Sequence, residues 1–162
     1  MTPSPSDHPR PAPPAGEQAA GSAEPRTPPS VGFELVLGAD PAALSLIRDR
    51  LRRWLAAQGW PDAEREDLLL AVSEAASNAA EHAYPPGVHG TIEIDGRITE
   101  ISDGARMVEL TVRDRGRWRP IPELPENRRR GIPLMRAVVA DLVIEGTDQG
   151  TCVMMRGWPI GR

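Results

Sequence analysis

Three polar residues in one short segment have the types and spacing that chemistry could use. In Ser73-Glu74-Ala75-Ala76-Ser77-Asn78-Ala79-Ala80-Glu81-His82-Ala83-Tyr84, the residues Glu74, Asn78 and His82 recur at intervals of four. On a helix that spacing stacks them along one face. An amide oxygen beside a carboxylate suits a hard cation, because Mg²⁺ takes oxygen ligands and keeps several waters. The same carboxylate could take a proton from an attacking hydroxyl. On spacing alone, an amphipathic helix with a solvated polar face is the simpler reading.

Three further segments carry weaker signals. In Val112-Arg113-Asp114-Arg115-Gly116-Arg117-Trp118 an aspartate ends a strand-like run and a glycine follows it. That pattern is a common turn; it is also a place where a carboxylate can accept a hydrogen bond from the exocyclic amine of a base. Arg130-Gly131-Ile132-Pro133-Leu134-Met135 sets a glycine before a helix start. The backbone can approach a ligand there, and free N–H groups bind phosphate. Gly150-Thr151-Cys152-Val153-Met154-Met155 is a glycine-led strand with one hydroxyl. Taken singly, each reads as ordinary structure.

The elements that must position these residues follow from periodicity. Gly32 to Leu37 alternates Phe33, Leu35 and Leu37, a short strand. Asp40-Pro41 opens a helix with Leu44, Ile47, Leu51, Trp54 and Leu55 at helical spacing, and Gly59 ends it. Pro61-Asp62 starts a second helix that is expected to run to about Ala83, where Tyr84-Pro85-Pro86-Gly87 stops it. Thr91 to Ile101 is strand-like, with an interruption expected at Asp95-Gly96, and Met107 to Arg113 alternates as another strand. Asp114 to Arg130, with three prolines, many arginines and little apolar content, reads as a long loop, of a length often used as a lid or binding segment. A third helix over Gly131 to Ala140 and a final hairpin of Leu142–Ile144 with Thr151–Met155 complete the pattern, with Cys152 expected to be buried and inert. The order predicts a two-layer α/β sandwich: a mixed, largely antiparallel sheet with helices on one face.

Composition narrows the field. Residues 1–30 hold nine of the 18 prolines and no large apolar residue after Met1, so they are expected to be a disordered tail. The folded domain is then 31–162. A net charge of −4 gives no electrostatic footprint for nucleic acid. One cysteine excludes an intramolecular disulfide and a Cys-based zinc site. The apolar runs are too short to cross a membrane and the N-terminus lacks an apolar signal core, so a soluble cytoplasmic protein is expected.

The order of the four segments says more than any one of them. Glu-x-x-x-Asn-x-x-x-His-Ala-Tyr on a helix, Asp-x-Gly after a strand, Arg-Gly-x-x-Leu-Met opening a helix and Gly-Thr-x-Val on a last strand together resemble the N, G1, G2 and G3 boxes of the GHKL ATPase superfamily. The wording Asn-Ala-x-x-His-Ala-Tyr resembles the anti-sigma-factor serine kinase branch. The resemblance implies the Bergerat-type ATP-binding fold, Mg²⁺ and ATP as cofactors, and Asn78 as the magnesium ligand. It implies Glu74 as the general base, Asp114 as the residue that recognises the adenine amino group, and Gly116 as the glycine giving adenine room. Arg115 to Arg130 would be the ATP lid. Arg130, Gly131 and Ile132 would hold phosphate, and Thr151 would lie near the base. His82 and Tyr84 read as packing residues.

The implied activity is phosphorylation of a serine on a STAS-type anti-sigma-factor antagonist, alternating with sequestration of a sigma factor. A homodimer using the Phe33–Leu55 region fits the same family. One departure stands out: Trp118 occupies the position where the G1 box usually has a second glycine. That indole favours the alternative of a non-catalytic interaction module on the same fold, with weak or no nucleotide binding. The Glu74/Asn78 pair counts against it.

Overall fold

The computed structural model describes residues 31–102, 104–117 and 130–161. The Pro-rich segment 1–30, and residues 118–129 with Trp118 and most of the expected lid, lie outside them.

The first strand, β1 (Val31–Gly38), turns Phe33, Leu35 and Leu37 inward and leaves Glu34 and Val36 exposed. Helix α1 (Ala43–Ala57) follows Asp40, whose carboxylate accepts the Ala42 N–H at 2.7 Å. Ile47, Leu51 and Leu55, one turn apart, are fully buried. Gly59, at φ +69°, ends the helix. Its N–H meets the Ala56 carbonyl at 2.9 Å and the Trp60 N–H meets that of Leu55 at 3.0 Å, the paired bonds of a Schellman cap.

Helix α2 (Asp62–Asn78) buries Leu68, Leu69, Val72, Ala75 and Ala76. One continuous helix to about Ala83 was expected. Instead a π-helical turn, Ala79–Ala83, follows Asn78 directly. The last carbonyl of that turn, at Ala83, is taken by the Arg117 N–H at 3.0 Å. Tyr84 then leaves in an extended conformation (φ −118°, ψ 140°), as a residue before proline prefers.

The remaining elements are β2 (Thr91–Glu100), β3 (Arg106–Asp114), α3 (Gly131–Val138), β4 (Asp141–Thr147) and β5 (Gly150–Arg156). The five strands lie in the order β1-β2-β3-β5-β4, and every neighbouring pair is antiparallel. The expectation of a mixed sheet is corrected here. After β3 the chain crosses by α3 to the far edge strand β4, and β5 folds back into the gap between them. Strands β3 and β4, which run the same way, are thereby kept apart. Ile92, Ile94, Ile98, Val108, Leu110, Val112, Val153 and Met155 line the helix side and share one core with Ile47, Leu51, Leu68 and Val72. The architecture is the predicted two-layer sandwich, with its helices on one face.

Two local expectations fail for clear reasons. Asp95-Gly96 does not interrupt β2, because Gly96 pairs with Phe33 on one side and Leu110 on the other. A β-carbon there would stand 2.9 Å from Leu110 and 3.3 Å from the Trp54 indole, so the glycine makes room for packing. Cys152 is half-buried and not enclosed, since it lies on the outer face of the sheet, with its Sγ 3.8 Å from Arg113. Among the described residues, no helix is long and apolar enough to cross a membrane.

Candidate functional site

Two clusters of the sequence-predicted residues form in the fold. In the first, α2 presents Glu74, half-buried, and Asn78, exposed, at the flank of its apolar stripe. Gly131 begins α3 directly opposite them. A β-carbon at Gly131 would lie 3.0 Å from Glu74 Oε2 and 3.7 Å from Asn78 Nδ2. Met135, one turn on, is buried and anchors α3 against the core. Arg130 stands before the helix, exposed, and supplies no side-chain cap. Its carbonyl accepts the Leu134 N–H at 2.9 Å, and Pro133 has no N–H to offer. The donors of the first turn are therefore those of Gly131 and Ile132, which find no acceptor among the described residues. Such a helix start favours an anion.

In the second cluster Asp114 ends β3 at 5 % exposure, alone among the described charged residues in being buried. Its Oδ1 accepts the Gly116 N–H at 3.0 Å and the Thr151 N–H at 3.2 Å. Thr151 thus meets Asp114 through its backbone. Oδ2 has no donor among the described residues, so one carboxylate oxygen holds the local chain and the other remains to accept. Gly116 is pressed onto the end of the π-helical turn: a β-carbon there would stand 2.0 Å from the Ala83 carbonyl oxygen. The room left by its missing side chain is filled by protein backbone. Gly150, at φ +124°, lies so close to Asp114 that a β-carbon would fall 2.1 Å from its carbonyl oxygen. The C-terminal half of the rod formed by α2 and the π-helical turn joins the clusters, with Glu74 and Asn78 on its last α-helical turns and Ala83, five residues after Asn78, against Gly116.

Residues 37–157 match the family model of the histidine kinase-like ATPase domain. The chain belongs to that family. The crystal structure of the RsbU and RsbW domains of Rv1364c from Mycobacterium tuberculosis superposes with a TM-score of 0.61 at 28% identity. The match covers 81% of this chain and 32% of that one, so this chain spans about a third of that protein's length. The histidine kinase domain of the blue-light activated histidine kinase from Erythrobacter litoralis matches at 21% identity, TM-score 0.47, over 70% of this chain and 59% of that one. The family model bears out the expected GHKL-type membership, and the neighbour with an RsbW domain is consistent with the anti-sigma kinase branch.

Not every polar residue of the 73–84 segment of this ATPase domain faces these clusters. His82 is exposed, with Nε2 3.8 Å from a Glu81 carboxylate oxygen, and Glu81 also accepts the Ser77 hydroxyl at 2.9 Å. Arg115 turns to the outer face of the sheet, where its guanidinium meets both Glu93 carboxylate oxygens at 2.7 and 3.1 Å. That contact holds the Glu93 carboxyl below the usual carboxylate range. A groove of ≈ 590 Å³ lies on that outer face, bordered by Glu34, Asp95, Arg97, Glu109 and Arg156, and includes none of Glu74, Asn78, Asp114 or Gly131.

Two partners of the site were not legible in the sequence: the Ala83 carbonyl and the Tyr84 hydroxyl. The phenol bonds Thr91 and the Arg115 N–H. The available signal was a tyrosine, with its polar tip, at the point where Pro85-Pro86 forces the helix to stop.

Proposed function

We propose that this domain binds Mg-ATP between the α3 start and the end of β3, and transfers the terminal phosphoryl group to a serine of a protein partner. The observation that carries this reading is the apposition of Gly131 to Glu74 and Asn78. A helix start with uncapped N–H groups, a carboxylate and an amide side chain converge there, a set of groups suited to a metal-bound phosphate. Among the described residues no three His, Cys, Asp or Glu side chains gather around a metal position. Mg²⁺ keeps several waters and takes much of its coordination from substrate phosphates, so it needs few protein ligands.

In this reading Asn78 provides the protein ligand to the metal, and Gly131, Ile132 and Arg130 hold phosphate oxygens. Bound magnesium would neutralise charge on the transferred group. Glu74 takes the proton from the serine hydroxyl as its oxygen attacks; a placed base of this kind is worth about 10²–10⁴-fold in rate. Asp114 Oδ2 accepts a hydrogen bond from the adenine amino group, beside Gly116 and Thr151. Supply of ATP places the activity in the cytoplasm. The anti-sigma branch wording of the N box, with the RsbW-containing neighbour, supports a STAS-type antagonist as the phosphorylated partner and a sigma factor as the sequestered one, with a homodimer as the assembly.

The test is transfer of labelled phosphate from ATP to a STAS-type antagonist by the native chain and by Glu74→Gln. Serine labelling that the variant loses, with ATP affinity retained, supports the proposal. ATP binding without transfer to any antagonist would leave a regulatory module that acts by binding alone.

A further inference from the structure

The Tyr84 hydroxyl holds the G1 end of the sheet open. Thr91 is the first residue of β2, and the pair before it in the ladder is Ile92 with Asp114. Continued by one step, the ladder would pair Thr91 with Arg115. It does not, because the Tyr84 phenol stands between them. Its O–H donates to the Thr91 carbonyl at 2.8 Å, and it accepts the Thr91 N–H at 3.2 Å and the Arg115 N–H at 2.9 Å. A phenol has one donor and two acceptor positions, and all are used. The Gly90 backbone lies flat on the ring, where a β-carbon would come within 2.1 Å of Cζ. On the β1 side the Gly90 carbonyl accepts the Ala39 N–H at 2.9 Å, so the backbone of Thr91 faces β3 by strand alternation.

We infer that Tyr84 is a positioning residue for adenine recognition: its hydroxyl wedges β2 from β3 directly after Asp114 and so fixes the direction in which that carboxylate and the Arg115–Arg117 segment leave the sheet. Without the wedge, Thr91 and Arg115 carry the backbone groups to pair with each other. Closing that pair draws Arg115 off its present course, and with it Gly116 and Arg117, which hold Asp114 Oδ1 and the Ala83 carbonyl. The inference rests on the proposed nucleotide reading and adds a residue that never touches the base.

The experiment compares ATP with purine riboside triphosphate, which lacks the 6-amino group, for the native chain and Tyr84→Phe. The native protein should prefer ATP. Tyr84→Phe should lose about tenfold in ATP affinity while its affinity for the analogue stays the same, so the preference falls by that factor. A loss of folding stability alone would lower both affinities together. Gly90→Ala, which pushes on the ring without removing the hydroxyl, should reduce the preference in the same direction and serves if Tyr84→Phe folds poorly. Ile98→Val, away from the site, should leave it unchanged. Retained preference in both Tyr84→Phe and Gly90→Ala overturns the wedge while leaving the nucleotide site standing. A native protein that binds neither nucleotide overturns the nucleotide reading and this role with it.

Discussion

Gly131 faces Glu74 across the junction of α3 and α2 at close range: a β-carbon would sit 3.0 Å from Oε2, so the carboxylate would have to give by a few tenths of an ångström. A helix that starts against a carboxylate gains from the dipole at its N-terminus. It also leaves a narrow gap lined by acceptor and donor groups. Alanine at this position should disturb the gap more than the fold, because a helix start tolerates alanine well. Gly131→Ala is expected to keep its melting temperature within a few degrees and to lose about tenfold in ATP affinity, roughly 1.4 kcal/mol. Calorimetry and thermal melts on one sample check both halves; unchanged affinity would mean that phosphate does not lie there.

Gly116 makes the opposite case. Its alanine variant would bring a methyl group to 2.0 Å from the Ala83 carbonyl oxygen, a backbone atom that cannot step aside. Gly116→Ala should therefore destabilise the domain by about 2–4 kcal/mol through overpacking. Urea denaturation reads this directly. A variant as stable as the native protein would contradict the described closeness of the π-helical turn to the end of β3.

On the outer face, Glu109 is bonded to Arg97 and accepts from Arg156 Nε at 2.7 Å, and these guanidinium groups, Arg97 first, lower its carboxyl from the ordinary value. A carboxyl whose pKa is lower in the folded state adds stability above its unfolded value, and that stability is lost as pH falls through the folded value. Glu109→Gln should cost about 1 kcal/mol at neutral pH. The gap between the two proteins should close as the pH drops below about 4.5. A gap independent of pH would show that packing, not charge, is responsible.

Much of this site could be read from the chain before any fold was known, and the parts that could not share a cause. Helical spacing placed Glu74 and Asn78 on one face because a four-residue interval is a local property. The strand alternation around Val108, Leu110 and Val112 placed Asp114 at a strand end for the same reason. The meeting of Gly131 with Glu74, and of Gly116 with Ala83, depends on how α3 and β3 pack against α2. No local interval reports that. The π-helical turn at Ala79–Ala83 was hidden because its small residues suit an ordinary helix equally well. Gly96 looked like an interruption because a glycine that accommodates the Trp54 indole and one that breaks a strand are the same letter.

In the proposed function Asn78, at the end of α2, and Asp114, at the end of β3, serve one Mg-ATP molecule. The direct measurement is calorimetric titration with ATP, with and without Mg²⁺, of the native protein, Asn78→Ala and Asp114→Asn. Binding by the native protein should depend on magnesium, weaken about 10- to 100-fold in Asp114→Asn by loss of one charge-assisted bond, and no longer depend on magnesium in Asn78→Ala. Absence of binding at millimolar ATP, or variants that bind as the native protein does, would contradict the proposed function.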